Sequence, residues 1–282
     1  MKLLIEAADK NRLYLDKIDG IILPLEDYAV EGSVFFSLDE IKDISNHSDC
    51  EIFVKINKNL LNRDIDRIKD ILIQLNDLKI KGVFFYDIAI LELVRELRLD
   101  INLVWNQTYM VNNYKTCDYY YSRGVQYALL GKEITLEEII EIIKKSSITS
   151  MVEVVSKPSI AFSRRKLISN YYKTFHISDG LKLTALEKVS GGQYQLIEDQ
   201  NGTSFFLDVI TNGTGIIKDL YDNHCPYIIM REYGIDCFHD LIVDTMEYIG
   251  NGCIDSNYVE KYKKLGDSTN FFFRKTIYRV KK

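Results

Sequence analysis

The chain has 282 residues, of which 46% are hydrophobic and 27% charged, and its formal net charge is −5. With 3 prolines and no biased tract, this composition excludes a disordered or low-complexity chain. The acidic balance offers no bulk attraction to nucleic acid or to an anionic membrane, leaving only a local basic patch for such contacts.

The opening Leu3-Leu4-Ile5 is followed at once by Glu6, too short an apolar run for a signal-peptide core. No segment approaches the roughly 20 apolar residues that span a bilayer. The expectation is therefore a cytoplasmic protein that does not enter a membrane. Its cysteines, Cys50, Cys117, Cys225, Cys237 and Cys253, are odd in number and form no Cys-x-x-Cys pair, so they read as free thiols.

Apolar runs of strand length recur at residues 2–7, 20–24, 50–57, 82–86, 101–105, 125–130 and 151–155. They are rich in Ile, Val, Leu and Phe with little alternation, the pattern of strands covered on both faces. Helical patterns lie between them. Ser37-Leu38-Asp39-Glu40 and Thr135-Leu136-Glu137-Glu138 are capping boxes. Asn62 stands where it can cap a helix whose apolar face is Ile65, Ile68, Leu72 and Leu75. Strands alternating with helices imply parallel βαβ units with right-handed crossovers. Glu6-Ala7-Ala8-Asp9 follows the first strand where a dinucleotide fold would carry its glycines, so a closed barrel is favoured over an open sheet.

After Phe175 the pattern changes. Residues 181–187, 193–198 and 203–209 alternate more and are separated by Gly191-Gly192 and Asp199-Gln200-Asn201-Gly202, which is hairpin punctuation. Residues 227–230 read as the last barrel strand, followed by helices near 239–248 and 257–265. The expected architecture is an α/β, TIM-like parallel (β/α) barrel formed by residues 1–175 and 215–282. A small antiparallel β insert would occupy 176–214, near the C-terminal third.

Generic catalytic signatures are absent: there is no Gly-x-Ser-x-Gly, no phosphate-binding glycine loop and no His-Glu-x-x-His. The signal lies instead at the C-terminal strand ends, where a parallel barrel builds its sites. Glu6, Lys55 with Asn57, Asp87, Asn106-Gln107, Lys132-Glu133, Glu153 and Arg231-Glu232 all fall there. Such a set is either a polar, ligand-filled mouth or a group of solvated loops. Glu153, flanked by valines, must be partnered or working, because a lone buried carboxylate is costly. Ser163-Arg164-Arg165-Lys166 could hold a phosphate or carboxylate, or could be the solvated face of a helix covering the barrel.

These residues resemble peptidase family U32, the collagenase-like peptidases. The matching stretches are Phe53-Val54-Lys55-Ile56-Asn57, Tyr86-Asp87, Trp105-Asn106-Gln107-Thr108, and Leu130-Gly131-Lys132-Glu133-Ile134-Thr135-Leu136. Further along are Met151-Val152-Glu153-Val154-Val155, Ser163 to Ser169, Glu198-Asp199-Gln200-Asn201-Gly202 and the closing Lys275 to Lys281. They are most similar to a short branch of the family found in low-GC bacteria. The resemblance implies a barrel and a peptidase-type hydrolase, and in some relatives the hydroxylation of tRNA or ribosomal RNA uridines with a cluster held by four cysteines. Where that signature places its first cysteines, this chain has Ser159-Ile160 and Lys166. Thiolates are what such a cluster needs, so no metal or cofactor is expected here.

Two main functions follow from the resemblance. In a peptidase, Glu153 and Glu133 would do acid–base work on a peptide or small carboxylate ligand. Lys55, Asn57, Asp87, Gln107, Lys132, Arg164, Arg165, Arg231 and Glu232 would then contact the substrate. The alternative is a non-catalytic accessory subunit of a tRNA uridine-hydroxylating system, paired with a larger cysteine-bearing paralogue and contacting tRNA. A plain small-molecule binding barrel is a third reading.

Overall fold

The computed structural model describes every residue except 79, 108, 178–181, 189–190, 267, 270 and 275–282. The closing Lys275 to Lys281 stretch therefore lies outside the described residues. In chain order the barrel opens with β1 (Lys2–Glu6) and β2 (Gly20–Pro24), then α1 (Leu38–His47), β3 (Glu51–Ile56), α2 (Ile65–Asp77) and β4 (Gly82–Phe85). It continues with α3 (Ile88–Leu97), β5 (Leu103–Trp105), α4 (Tyr114–Tyr121), β6 (Tyr127–Leu129), α5 (Leu136–Lys145) and β7 (Thr149–Ser156). An excursion follows: β8 (Ser159–Ser163), α6 (Leu167–Phe175), β9 (Lys182–Leu186), β10 (Gln193–Asp199), β11 (Gly202–Leu207) and β12 (Thr211–Asn212). Last come α7 (Ile217–Asp222), β13 (Tyr227–Arg231), α8 (Phe238–Gly250) and α9 (Ser256–Tyr262).

Strands β1 to β7 pair in parallel with their neighbours, and β13 joins β7 to β1. The result is a closed parallel barrel with surrounding helices, as the strand–helix alternation predicts. Closure leaves no unpaired edge in the ring. Its inner layer takes one side chain from each strand: Leu4, Ile22, Phe53, Phe84, Val104, Leu129, Met151 and Ile229, all buried in one cluster. Their neighbours in sequence, such as Leu3, Ile5, Ile21, Leu23 and Val54, point outward and pack in a second cluster with buried helix side chains such as Ile41, Ile68 and Leu72. This is period-two alternation with both faces apolar, hence the continuous hydrophobic runs.

The capping boxes at Ser37 and Thr135 both form and open α1 and α5. Asn62 departs from expectation. It begins a short 3-10 turn, and the Leu61 N–H is taken by the Asp64 carboxylate at 2.8 Å, so α2 starts only at Ile65. Asp87 caps α3, accepting from Ala89 N at 3.0 Å and, across the mouth loop, from Leu60 N at 2.9 Å. Two backbone donors depend on one carboxylate. Asp87→Ala is expected to lower stability by about 1–2 kcal/mol in urea unfolding, with the family of barrel helices otherwise intact by circular dichroism.

The second sheet is antiparallel, in the order β8-β11-β10-β9. It includes β8, a strand drawn from the segment just after β7 that the hydrophobic pattern did not reveal, because its residues are half-buried or exposed. Helix α6 packs on β10 and β11, so the Arg164-Arg165-Lys166 segment before it lies on the small sheet's side and not on the outside of the barrel. The N-terminus of α6 is held by Glu198, whose Oε2 accepts from Ile168 N at 2.8 Å and Ser169 N at 3.1 Å. Burial alone would raise that carboxyl, but these N–H and hydroxyl donors hold it below its ordinary value.

This small sheet is tied over the barrel mouth. Asn201 Nδ2 donates to Ala29 O at 2.9 Å and Lys58 Nζ donates to Asn201 Oδ1 at 2.7 Å. Tyr109 OH donates to Ile160 O at 3.1 Å, Arg164 donates to Asn59 O, and Tyr233 OH donates to Gln195 Oε1 at 3.0 Å. The Glu198-to-Gly202 stretch is thus architectural: a cap for α6, a tight turn and a tether to the mouth.

Candidate functional site

Alternation dictates what sits above the apolar layer. Two residues beyond each inner-layer side chain come Glu6, Pro24, Lys55, Tyr86, Asn106, Gly131, Glu153 and Arg231. Inward-facing parity, not loop polarity, therefore makes the mouth a charged and amide-bearing ring. A register shift between Ile229 and Met230 places an extra β7 residue opposite β13, next to Glu153. Bulges of this kind re-aim side chains beside sites.

The four charges of this ring form one network with Lys132, which follows Gly131. Lys55 Nζ donates to both oxygens of Glu6, each at 2.9 Å, and Arg231 Nη1 reaches Glu6 Oε2 at 2.9 Å. Arg231 Nε donates to Glu153 Oε2 at 2.7 Å; Lys132 pairs with Glu153 Oε1 at 2.7 Å, and Ser156 Oγ donates to the same oxygen at 2.5 Å. Burial on its own would raise the Glu153 carboxyl, but Arg231 and Lys132 hold it far below the usual carboxylate range. Arg231 is raised in turn, the Glu153 and Glu6 charges outweighing the burial that opposes them. Burial prevails at Lys55, whose amine falls below its ordinary value although Glu6 pulls it up.

The chemistry of this cluster is that of a brace. A carboxylate pinned as an anion cannot exchange protons near neutral pH, where acid–base catalysis needs its value tuned upward. Lys55, with no solvent exposure, is spent on Glu6. Lys132 and Arg231 are both committed to Glu153.

The other expected site residues divide. Glu133 is exposed and stands outside the network; its charge is felt at the Tyr109 hydroxyl, which burial first and then Glu31 and Glu133 push upward. Glu232 is buried and clamps the loop after β1, accepting from Ala8 N at 2.6 Å, Arg12 Nη2 at 2.5 Å and Tyr14 OH at 2.7 Å. Both of its carboxylate oxygens are thereby engaged within the protein. Asp87 is likewise occupied as a helix cap, and Gln107 donates to Tyr86 O at 2.7 Å. Asn57 accepts from Val30 N at 2.9 Å and lines the mouth. Arg165 is exposed, and its carbonyl accepts from Thr203 Oγ1 at 2.9 Å. Arg164 is exposed as well, but it borders the cavity described next.

Between the barrel mouth and β8 lies a cavity of about 330 Å³. Asn57, Asn106 and Arg164 line it, together with Glu31, Tyr86 and Tyr109, which the reading of strand ends did not single out. For Tyr86 the structure supplies the reason it belongs with Asn106. Tyr86 and Asn106 fall two residues beyond Phe84 and Val104, in the same parity as Glu6, Lys55 and Glu153. Glu31 shares no such parity, because it belongs to the loop after β2.

A cysteine-held cluster does not fit these residues. Burial raises Cys117 and Cys225 to about 12 and Cys253 to about 11, so all three are neutral thiols. Ser159 and Ile160 line the cavity through β8, and Lys166 precedes α6. Hydroxyl, alkyl and ammonium groups are poor ligands for iron–sulfur chemistry. Among the described residues no group of three or more His, Cys, Asp or Glu side chains is placed to hold a metal ion. Among them, too, no helix is long and apolar enough to cross a membrane.

Fold and mouth together define a TIM-like barrel with a charged interior ring roofed by a small antiparallel sheet. The model of peptidase family U32 matches residues 32–180, and the chain belongs to that family. It is similar to tRNA hydroxylation protein P2 of Bacillus subtilis (strain 168), with 23% identity over 268 residues covering 84% of each chain. It is also similar to tRNA hydroxylation protein P1 of the same organism, with 22% identity over 157 residues, 54% of this chain and 37% of that one. Among solved structures, the U32 peptidase Mk0906 aligns with 55% of this chain and 70% of its own, at 17% identity and a TM-score of 0.45.

Proposed function

We propose that this chain is a subunit of a tRNA-hydroxylation system that works beside a larger, cysteine-bearing paralogue and holds no cluster of its own. The observation that carries this reading is the similarity to tRNA hydroxylation protein P2 along 84% of both chains. Two features of the site support it. Ser159, Ile160 and Lys166 leave the cluster ligands to be supplied elsewhere, and the ring carboxylates Glu6 and Glu153 are bound up in ion pairs instead of being free for hydrolytic work. The family's peptidase label is drawn from its name, and nothing in the geometry of Glu153 or Glu133 favours it.

Deletion of the gene in the native host is expected to abolish or sharply reduce hydroxylated uridine in digests of total tRNA analysed by mass spectrometry. Tagged protein recovered from the same host should carry a larger family member with it. Unchanged tRNA hydroxylation in the deletion strain would sink the proposal. Cleavage of gelatin or peptides by the purified chain, lost in Glu153→Gln with folding intact, would replace it with the peptidase reading.

A further inference from the structure

Asn106 is only 6% exposed, yet among the described residues its side-chain amide has no hydrogen-bond partner, and it lines the cavity between mouth and small sheet. Its amide atoms are not among the fully buried polar atoms left without a partner, so the carboxamide opens on the cavity, where a ligand can meet it. Beside it, Asn57 uses its Oδ1 on Val30 N while its Nδ2 has no partner among the described residues. Glu31 is the third uncommitted group. It lines the same cavity, makes no ion pair among the described residues, and sits on a backbone with φ of 60°, in the left-handed region. A non-glycine residue held there stores strain that surrounding structure must sustain, a recurrent mark of functional positions.

The rest of the wall narrows the ligand. Tyr86, Tyr109 and Phe162 supply aromatic surface suited to a flat ring. A carboxamide offers a donor and an acceptor side by side, the complement of a ring edge that alternates the two. Arg164 gives one N–H to Asn59 O and, being exposed, has the remainder of its fork for an anion at the rim. About 330 Å³ is at the small end for ligand pockets, enough for one base and its sugar and too little for a folded partner.

We infer that this cavity is a nucleotide-binding site that takes a single unstacked base against Asn106 and the mouth tyrosines, with its phosphate at Arg164. The inference rests on the RNA-directed reading above and gives it a location. Asn106 is the contact that reads the base edge, with Asn57 Nδ2 and Glu31 as neighbouring groups. The same chemistry could be met by a free mononucleotide or by a nucleotide within a strand, and the experiment separates these sources.

The purified full chain, its Asn106→Ala and its Arg164→Ala variants would be titrated calorimetrically with the four ribonucleoside 5′-monophosphates, the nucleosides and a short single-stranded RNA. At least one monophosphate or the RNA is expected to bind, with affinity reduced roughly tenfold or more by Asn106→Ala. Arg164→Ala should weaken monophosphates more than nucleosides. The melting temperature of Asn106→Ala should equal or exceed that of the wild type, since no protein hydrogen bond is lost. Asn106-dependent binding of RNA alone assigns the site to a strand, and binding of monophosphates as well assigns it to the nucleotide unit. Absence of binding by every probe, or binding that ignores Asn106, overturns the inference. Complementing the deletion strain separates the two proposals. Full rescue of tRNA hydroxylation by Asn106→Ala, with no nucleotide bound, removes the site and leaves the function. Asn106-dependent binding with hydroxylation untouched by the deletion does the reverse.

Discussion

Arg231→Met is expected to lower the unfolding free energy by about 3–5 kcal/mol, the range seen when one partner is taken from a buried ionic network. The guanidinium touches both ring carboxylates, at 2.9 Å to Glu6 and 2.7 Å to Glu153, and each would be left with a single lysine. Methionine fills similar volume, so the loss is electrostatic more than steric. Urea unfolding at neutral pH measures it, and a change below about 1 kcal/mol would show that the network contributes little. In a double-mutant cycle with Glu153→Gln the two losses should not add, because either single change already removes the Arg231–Glu153 pair.

The same network gives stability a pH dependence with a definite sign. The Glu153 carboxyl is held below the ordinary unfolded value of about 4.3, so near that pH the unfolded chain binds a proton that the folded chain does not. Its contribution is whole above that value and declines as the pH falls below it toward the depressed folded value. The wild type should therefore lose stability steeply on acidification from about pH 5 to pH 3. Arg231→Met, in which the main charge depressing Glu153 is gone, should show a shallower slope over that window. Equal slopes would mean that Glu153 is not the group responsible.

Gly202→Ala is expected to be the most damaging single change in the small sheet. Gly202 has φ of 146°, and a Cβ built there would lie 2.0 Å from the Ser163 carbonyl oxygen and 2.9 Å from Arg164 Cα. Both neighbours are backbone, so the clash cannot be relieved by a rotamer change; β11 and β8 must separate or the turn after Asp199 must unwind. A loss of at least about 2 kcal/mol is expected, from backbone strain together with the broken pairing. Hydrogen exchange localises it: amides of β8, β10 and β11 should lose protection while the barrel strands keep theirs. Uniform loss across both sheets would mean that the small sheet and barrel unfold as one unit. Unchanged protection would mean that the close approach at Ser163 is easily relaxed.

Much of this molecule was legible before any coordinates. Runs such as Ile21-Ile22-Leu23 and Phe53-Val54 have no polar alternation because both faces of each barrel strand are covered, and that alone identifies parallel strands under helices. The capping boxes at Ser37 and Thr135 are local, with partners three residues apart, and so they form as read. Asn62 failed for the same reason in reverse: Asp64, also local, competed for the turn. Strand β8 escaped because Ser159 to Ser163 bury little, and burial is what writes the period into a sequence.

By itself, the sequence determined the barrel and the polarity of its mouth, but with both faces of each strand apolar it did not say which residues face inward. Only the tertiary structure decided what those residues do. Glu6 meets Lys55 and Arg231 from 49 and 225 residues away, and Glu153 meets Arg231 from 78. No local rule of helix or strand links positions so distant; closing the ring does. Charges read singly as candidate catalysts became a brace of two carboxylates held by three cations, and Glu232 and Asp87 became a loop clamp and a helix cap. The small sheet, folded back over the mouth, enclosed a cavity lined by Asn106 and Glu31, whose side chains make no hydrogen bond or ion pair among the described residues.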